Sequence, residues 1–214
     1  MKSPDLMLFA KQPVPGQVKT RLQEVYTPTQ VAEIAAFLIR ATVELAAASW
    51  PSDVYIYGAP NSDHPLFRDL AETFHLRLAA QVEGDLGHKM LCAMRDGIRR
   101  SGAAGIIGCD VPHCPWEVVE GAHEYLAKGQ NVLGRTEDGG YYFIGMQNAY
   151  RRLFEEIEWG GNDVADVTLA RARELGIAFE MLPTLRDIDT GESLWLAAHE
   201  FEPLRLHLYK VLVG

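Results

Sequence analysis

The 214 residues carry 20 Lys and Arg against 29 Asp and Glu, a net charge of −9, with 48% hydrophobic side chains. That length and apolar share suffice for one sizeable core and predict a single domain over residues 1–214. The acidic balance argues against nucleic acid or an anionic membrane as the main partner, since both are held chiefly through clustered Lys and Arg.

Met1 to Asp5 has no basic stretch leading into a long apolar one, and no apolar run approaches the roughly 18 residues of a membrane helix. Three cysteines, Cys92, Cys109 and Cys114, are too few and too oddly numbered for a disulfide framework. A soluble, cytoplasmic protein is expected.

Asp5 to Ala10 is a continuous apolar run and predicts the first strand. Thr27 and Pro28 supply an N-cap and a first-turn proline for a helix reaching about Ala48. Its buried face at helical spacing is Val31, Ile34, Ala35, Leu38, Thr42 and Leu45. Val54 to Tyr57 reads as a strand, Pro65 to Phe74 as a short helix and Leu76 to Ala80 as a third strand. Gly87 to Arg100 puts Met90, Ala93, Met94, Gly97 and Ile98 on one helical face, and Gly105 to Asp110 is a buried strand ending in an acid.

Pro115 to Lys128 predicts a helix, and Asn131 to Arg135 and Tyr141 to Met146 predict strands. Asn162 and Asp163 are placed to cap a helix with the face Val164, Val167, Thr168, Ala172 and Leu175. A strand over Ile177 to Leu182 and a helix from about Thr190 follow, while the alternating apolar and basic residues of Pro203 to Gly214 fit no clear period. The repeated βα pattern predicts a mostly parallel sheet covered by helices, with ligands bound beyond the carboxyl ends of its strands. Asp110 lies at that edge.

Chemistry concentrates in a few segments. After the first strand, Phe9 to Leu22 combines two prolines and Gly16, which keep the backbone irregular, with Lys11, Lys19, Thr20 and Arg21; it reads as an anion-binding loop. Three cations in one early loop run against the acidic average, although such a loop can also be a solvated connection. Asp110, beside that loop, is where a divalent cation would bridge ligand oxygens, or else a cap for the next turn. Cys109, His113 and Cys114 lack a further Cys/His cluster that would complete a zinc site.

Glu137-Asp138-Gly139-Gly140-Tyr141-Tyr142 sets two carboxylates before paired glycines that permit close approach of another molecule, and aromatics that can line a sugar or base pocket; Asp-Gly is equally a hairpin signal. Trp159-Gly160-Gly161 reads as a loop holding a buried aromatic. Asp187 and Asp189, at period two, lie on one side of an extended segment, within reach of a metal at Asp110 or as caps of the next helix. His88 and Lys89 can contact phosphate or sit at a solvated helix end.

The motifs Phe9-Ala10-Lys11-x-Pro13-x-Pro15-Gly16-x-Val18-Lys19-Thr20-Arg21-Leu22, Gly84-Asp85-Leu86-Gly87, Gly108-x-Asp110-x-Pro112, Glu137-Asp138-Gly139-Gly140-Tyr141-Tyr142 and Asp187-x-Asp189-Thr190, in this order over about residues 5 to 195, resemble a family of bacterial nucleotide-diphospho-sugar transferases, or glycosyltransferase-A-like proteins. The resemblance implies a three-layer α/β/α domain with a Rossmann-like, mostly parallel sheet that binds a nucleotide diphosphate with magnesium or manganese. It further implies that Lys11, Gly16, Lys19, Thr20 and Arg21 hold phosphates, that Asp110 binds metal, and that Gly139, Gly140 and Tyr141 line the sugar or acceptor side. The chain departs from the Asp-x-Asp pair typical of glycosyltransferases of this fold, having Gly108-Cys109-Asp110 with one carboxylate, and it has Cys109 and Val111 where the family's usual strand end has Thr and Ser.

The function expected from these residues is metal-assisted glycosyl transfer from a nucleotide-sugar donor to a small acceptor. Asp110, with Asp138 or Asp189, would hold the cation, Lys19 and Arg21 would stabilise the leaving diphosphate, and Glu137 would take the acceptor's proton. The alternative is nucleotidyl transfer from a nucleoside triphosphate with release of pyrophosphate, which would use three basic residues well. A non-catalytic nucleotide-binding module is the third reading, motivated by Cys109.

Overall fold

The structure, a computed structural model, describes residues 3–213; Met1, Lys2 and Gly214, within the range assigned from sequence, lie outside it. Seven strands form one sheet: β1 (Asp5–Lys11), β2 (Val54–Ala59), β3 (Arg77–Ala80), β4 (Ala104–Gly108), β5 (Asn131–Thr136), β6 (Tyr141–Met146) and β7 (Phe179–Leu185), in the spatial order β3-β2-β1-β4-β6-β5-β7. Leu6, Met7 and Leu8 of β1 are fully buried, as a central strand covered on both faces requires. All neighbours are parallel except β6, which runs antiparallel to both β4 and β5. The Asp-Gly turn between β5 and β6 is thus a hairpin connection, and it causes the single reversal in the sheet.

Helices α1 (Pro28–Ser49), α2 (Pro65–Phe74) and α4 (Trp116–Ala127) cover one face, where Ile39, Val43, Phe67, Val119 and Leu126 pack on Leu6, Leu8, Ile56 and Phe143. On the other face α3 (Leu86–Ser101) and α5 (Val164–Glu174) bring Met90, Met94 and Ala172 against Met7, Ile106 and Ile144. The architecture is therefore three-layer α/β/α with a mostly parallel sheet. Thr27 starts α1 in a reciprocal capping box with Gln30 and Pro28 in the first turn, which satisfies two orphan N–H groups.

Several boundaries differ from those the sequence predicts. β4 ends at Gly108, so Asp110 stands in the loop beyond the strand. β7 begins at Phe179 and runs on to Leu185, because its partner β5 fixes the register from Asn131 to Thr136. On α5 Leu175 is exposed and Ala165 takes the inner place, since the helix stops at Glu174. Leu45 of α1 is only partly buried, and Asp163 stands at the N-cap of α5 without a side-chain bond. The unassigned tail forms a helix, α7 (Glu202–Val213), after α6 (Gly191–Glu200).

α6 and α7 pack outside the two clusters that cover the sheet. Leu194, Ala197, Leu204 and Leu208 join Val31, Ile34 and Leu38 of α1, Val18 and Leu22 of the first loop, and Ile188 in a third apolar cluster. That cluster joins the first loop and the helices α6 and α7 at the carboxyl edge of the sheet. Among the described residues no helix is long and apolar enough to cross a membrane.

Candidate functional site

Strand order reverses direction at β1: β2 and β3 extend to one side of it and β4 to the other. Open sheets bind ligands in the crevice at such a point, here beyond the paired carboxyl-end residues Phe9 and Gly108. The loop after β1 is anchored by burial of Val18 and Leu22, with Lys19 between them in the left-handed region (φ 42°, ψ 54°), just before a 3₁₀ turn over Thr20–Glu24. Held this way, the Lys19 side chain is only 9% exposed and turns into the crevice instead of toward water.

Its ammonium lies 2.6 Å from Asp110 Oδ1, 2.5 Å from the Ile188 carbonyl oxygen, to which it donates, and 3.9 Å from Asp189 Oδ1. Arg21 Nη1 donates to Asp189 Oδ2 at 3.0 Å, and the Ile188 amide donates to the Asp110 carbonyl at 2.9 Å. Because Ile188 is fully buried, its neighbours Asp187 and Asp189 face the other way, into the crevice. Three segments remote in sequence are thereby locked at one point.

Two cavities meet there. The first, about 420 Å³, is lined by Lys11, Lys19, Lys89 and Gln81 over an apolar floor of Ala35, Leu38 and Ile39. The second, about 410 Å³, carries Asp110, Asp138, Asp187 and Asp189 with Arg21 as the one cation among the described residues that line it, and an apolar wall that includes Phe9, Met90, Ile106, Ile144, Tyr141 and Trp159. Phe9, Leu86, Cys109, Asp110 and Asp189 belong to both. Charge is thus segregated: lysines on one side, carboxylates on the other, with the Lys19–Asp110–Asp189 group at the border.

The carboxyl of Asp187 is pushed up to about 6, first by burial, then by the nearby charge of Asp138 and, less, of Asp110 and Asp189, against a lowering backbone hydrogen bond. An acid with its folded pKa raised favours the fold only while protonated: its contribution is full below about pH 4 and lost as pH rises through about 6. Asp187→Asn is expected to raise the melting temperature at pH 7 and above and to leave it unchanged below about pH 4; melting curves across pH check this. Burial, and after it Asp110, raise the Cys109 thiol above its ordinary value, so no thiolate is available in the crevice.

The other predicted residues fall as follows. Asp138 lines the acidic cavity, and its Oδ1 accepts from Thr136 Oγ1 at 2.5 Å and from the Gly140 amide at 3.0 Å, which fixes the turn. Gly140 and Tyr141 also line it; Tyr141 meets Trp159 edge to face at 6.3 Å and turns its hydroxyl to Met90 Sδ, 3.9 Å away. Gly139 has φ +92°, and a Cβ there would lie 1.8 Å from the Asn162 carbonyl oxygen, so the close approach at this glycine is made by the chain itself. Glu137 pairs with Arg186 at 3.0 Å and opens onto a side hollow instead of either cavity, and neither Gly16 nor Thr20 is among the residues lining these two cavities.

Gln81, Lys89, Met90 and the Trp159-Gly160-Gly161 loop line the site although little or nothing in the sequence singles them out for it. The signal for part of this set is Gly84-Asp85-Leu86-Gly87. Asp85 caps α3 by accepting from the His88 amide at 2.7 Å, and Gly87, whose Cβ would lie 2.0 Å from the Phe154 carbonyl oxygen, lets the helix settle against Trp159 so that Leu86, Lys89 and Met90 reach the crevice.

Over nearly its whole length the chain is similar to the putative nucleotide-diphospho-sugar transferase of Desulfovibrio desulfuricans G20, with 28% identity, coverage of 99% of this chain and 94% of that one, and a TM-score of 0.84. Two more distant structures share the fold. One is CMP:2-keto-3-deoxy-manno-octonic acid synthetase complexed with CTP (12% identity, 93% and 100% covered, TM-score 0.56), the other Rv0371c of Mycobacterium tuberculosis H37Rv in complex with manganese (11%, 92% and 100%, 0.57). No curated protein sequence matches the chain. Residues 42–161 match the model of a family described as uncharacterised proteins conserved in bacteria, DUF2064. With more than half of its length inside that match, on the sheet of the nucleotide-diphospho-sugar transferases, the chain belongs to the DUF2064 family.

Proposed function

We propose that the protein is a single-domain transferase that takes a sugar from a nucleotide-diphosphate donor and passes it, with assistance from a divalent cation, to a small hydroxyl acceptor. The observation that carries this reading is the pair of adjoining cavities of opposite charge that meet at Lys19, Asp110 and Asp189. The lysine-lined cavity suits a diphosphate. The carboxylate-lined one suits a group that donates hydrogen bonds, because an ionised carboxylate can only accept.

Among the described residues no three His, Cys, Asp or Glu side chains are gathered in a way that holds a metal ion. The donor set at the crevice is instead Asp110 and Asp189, two hard oxygen ligands beside an anion-binding cavity. Magnesium and manganese fit such a set: magnesium keeps several of its waters and is commonly held by one or two carboxylates together with ligand phosphates. The manganese complex of a protein with this fold supports the choice. When bound, the cation neutralises charge on the diphosphate.

The chain's own residues do the rest. Lys11, Lys19 and Lys89 bind the phosphates and stabilise the charge that grows on the departing diphosphate. Arg21, oriented by Asp189, guards the border between donor and acceptor. Asp138 and Asp187, which line the acceptor cavity where Glu137 does not, receive the proton of the acceptor hydroxyl. Free thiols at all three cysteines support a reducing, cytoplasmic setting.

Nucleotidyl transfer draws support from the same lysines and from the CTP-bound synthetase of this fold. The test is thermal-shift and calorimetric titration with nucleotide sugars and nucleoside triphosphates, with and without magnesium or manganese, followed by product analysis. Release of a nucleoside diphosphate is expected; pyrophosphate from a triphosphate would replace this reading with nucleotidyl transfer. Asp110→Asn is expected to abolish the metal-dependent part of donor affinity, at least tenfold or roughly 1.4 kcal/mol, and an unchanged titration would remove Asp110 from the cation site.

A further inference from the structure

We infer that the acceptor is an uncharged or cationic hydroxyl compound with a flat apolar body, and that acceptors bearing phosphate or carboxylate are excluded; this rests on the glycosyl-transfer reading above. The second cavity is the ground for it. Four aspartates line it against one guanidinium, and that guanidinium, Arg21, is 61% exposed and already held by Asp189 at 3.0 Å. An anionic acceptor would meet Asp138 and Asp187, the two cavity carboxylates that neither Lys19, Arg21 nor the proposed cation holds. A hydroxyl or an ammonium, by contrast, supplies the donors that carboxylates require.

The remainder of the wall is mostly apolar and includes the rings of Tyr141 and Trp159. Tyr141 turns its hydroxyl toward Met90. Ile106 and Ile144, on the sheet floor, are almost fully buried, and Trp159 stands edge-on to Tyr141. A polyhydroxylated body would lose hydrogen bonds to water against this wall, whereas an aromatic or alicyclic one would stack on it. The acceptor is therefore oriented with its hydroxyl among the aspartates and its apolar part on the sheet side.

In the transfer the acceptor oxygen forms a bond to the donor's anomeric carbon. The bond from that carbon to the diphosphate breaks and leaves its electron pair on the diphosphate oxygen, and the acceptor's proton passes to a cavity carboxylate and on to water. The products are the glycoside and a nucleoside diphosphate.

Three near-isosteric probes test this without any donor: tyrosol (neutral), tyramine (cationic) and 4-hydroxyphenylacetate (anionic), titrated into the full chain and followed by ligand-observed NMR at pH 7.5. Tyrosol and tyramine are expected to bind at least tenfold more tightly than 4-hydroxyphenylacetate, and Asp187→Asn, with its fold verified by melting, to narrow that gap severalfold. Equal or tighter binding of the anion, or binding of none of the three, would overturn the inference. A nucleotide-sugar titration run on the same sample separates the two failures: loss of donor binding with the probe order intact rejects the transferase reading alone.

Discussion

Replacing Lys19 by Met is expected to weaken binding of a nucleotide diphosphate by about ten- to 150-fold, the equivalent of about 1.5–3 kcal/mol for hydrogen bonds to a charged group. Among the described residues the ammonium is the one cation that lines the lysine-rich cavity while also touching Asp110 and the Ile188 carbonyl, so no neighbour replaces it. Stability should suffer less. The Asp110 and Asp189 side chains are 53% and 33% exposed, so both can recover hydration once the ammonium is gone. Arg21→Met, at a side chain 61% exposed and outside the phosphate cavity, is expected to cost less than about fivefold. Isothermal titration with a nucleotide sugar checks the contrast, and equal losses in the two variants would show that the crevice recognises only bulk positive charge.

Gly139→Ala is expected to unseat the aspartate-lined cavity and to lower stability by about 3 kcal/mol, combining left-handed strain with a clash that the backbone must absorb. The residue has φ +92°, and the added Cβ would lie 1.8 Å from the Asn162 carbonyl oxygen and 2.3 Å from its carbonyl carbon. Its carbonyl also accepts from the Ala165 amide at 2.9 Å, so displacement of the turn loosens the start of α5 and with it Val164 and the Trp159 loop on the cavity wall. For a chain of this size the melting temperature should fall by about 6–12 °C. Gly16→Ala is the matched control: its φ is +79°, but nothing lies within 4 Å of the new methyl, so only the strain of about 1–2 kcal/mol remains. Calorimetric melts of the two variants decide whether the contact with Asn162 or the backbone angle alone makes Gly139 irreplaceable.

Much of the fold was legible because it is written in local signals. Leu6 to Ala10 and Ile106-Ile107 are continuous apolar runs, as strands covered on both faces must be, and Thr27-Pro28 announces α1 by capping chemistry that operates within four residues. α7 was not legible. Leu204 and Leu208 turn inward one helical turn apart, while Leu206 and Tyr209 stay 54% and 69% exposed, so reading along the chain yields alternation instead of helical spacing.

The site divides along the same line. The loop from Lys11 to Arg21 and the acids at 110, 138, 187 and 189 stand out by residue type and position. Which charges neutralise which does not, since Glu137 is drawn aside by Arg186, 49 residues away, and Gly139 is approached by Asn162, not by a ligand. Gln81 and Lys89 enter through the placement of β3 and α3, which no nearby residue encodes.

The apolar cluster that joins the first loop to α6 and α7 has a consequence for the time at which the site comes into being. Lys19 meets Ile188 and Asp189 across 169 and 170 positions, whereas β1 and β2 pair across about 48. Contacts of such long sequence separation form late, after the shorter loops have closed, and a chain made from its N-terminus cannot form them until its last fifth has been synthesised. The growing polypeptide can therefore assemble the central sheet and still lack the crevice proposed to hold nucleotide, acquiring it late in folding.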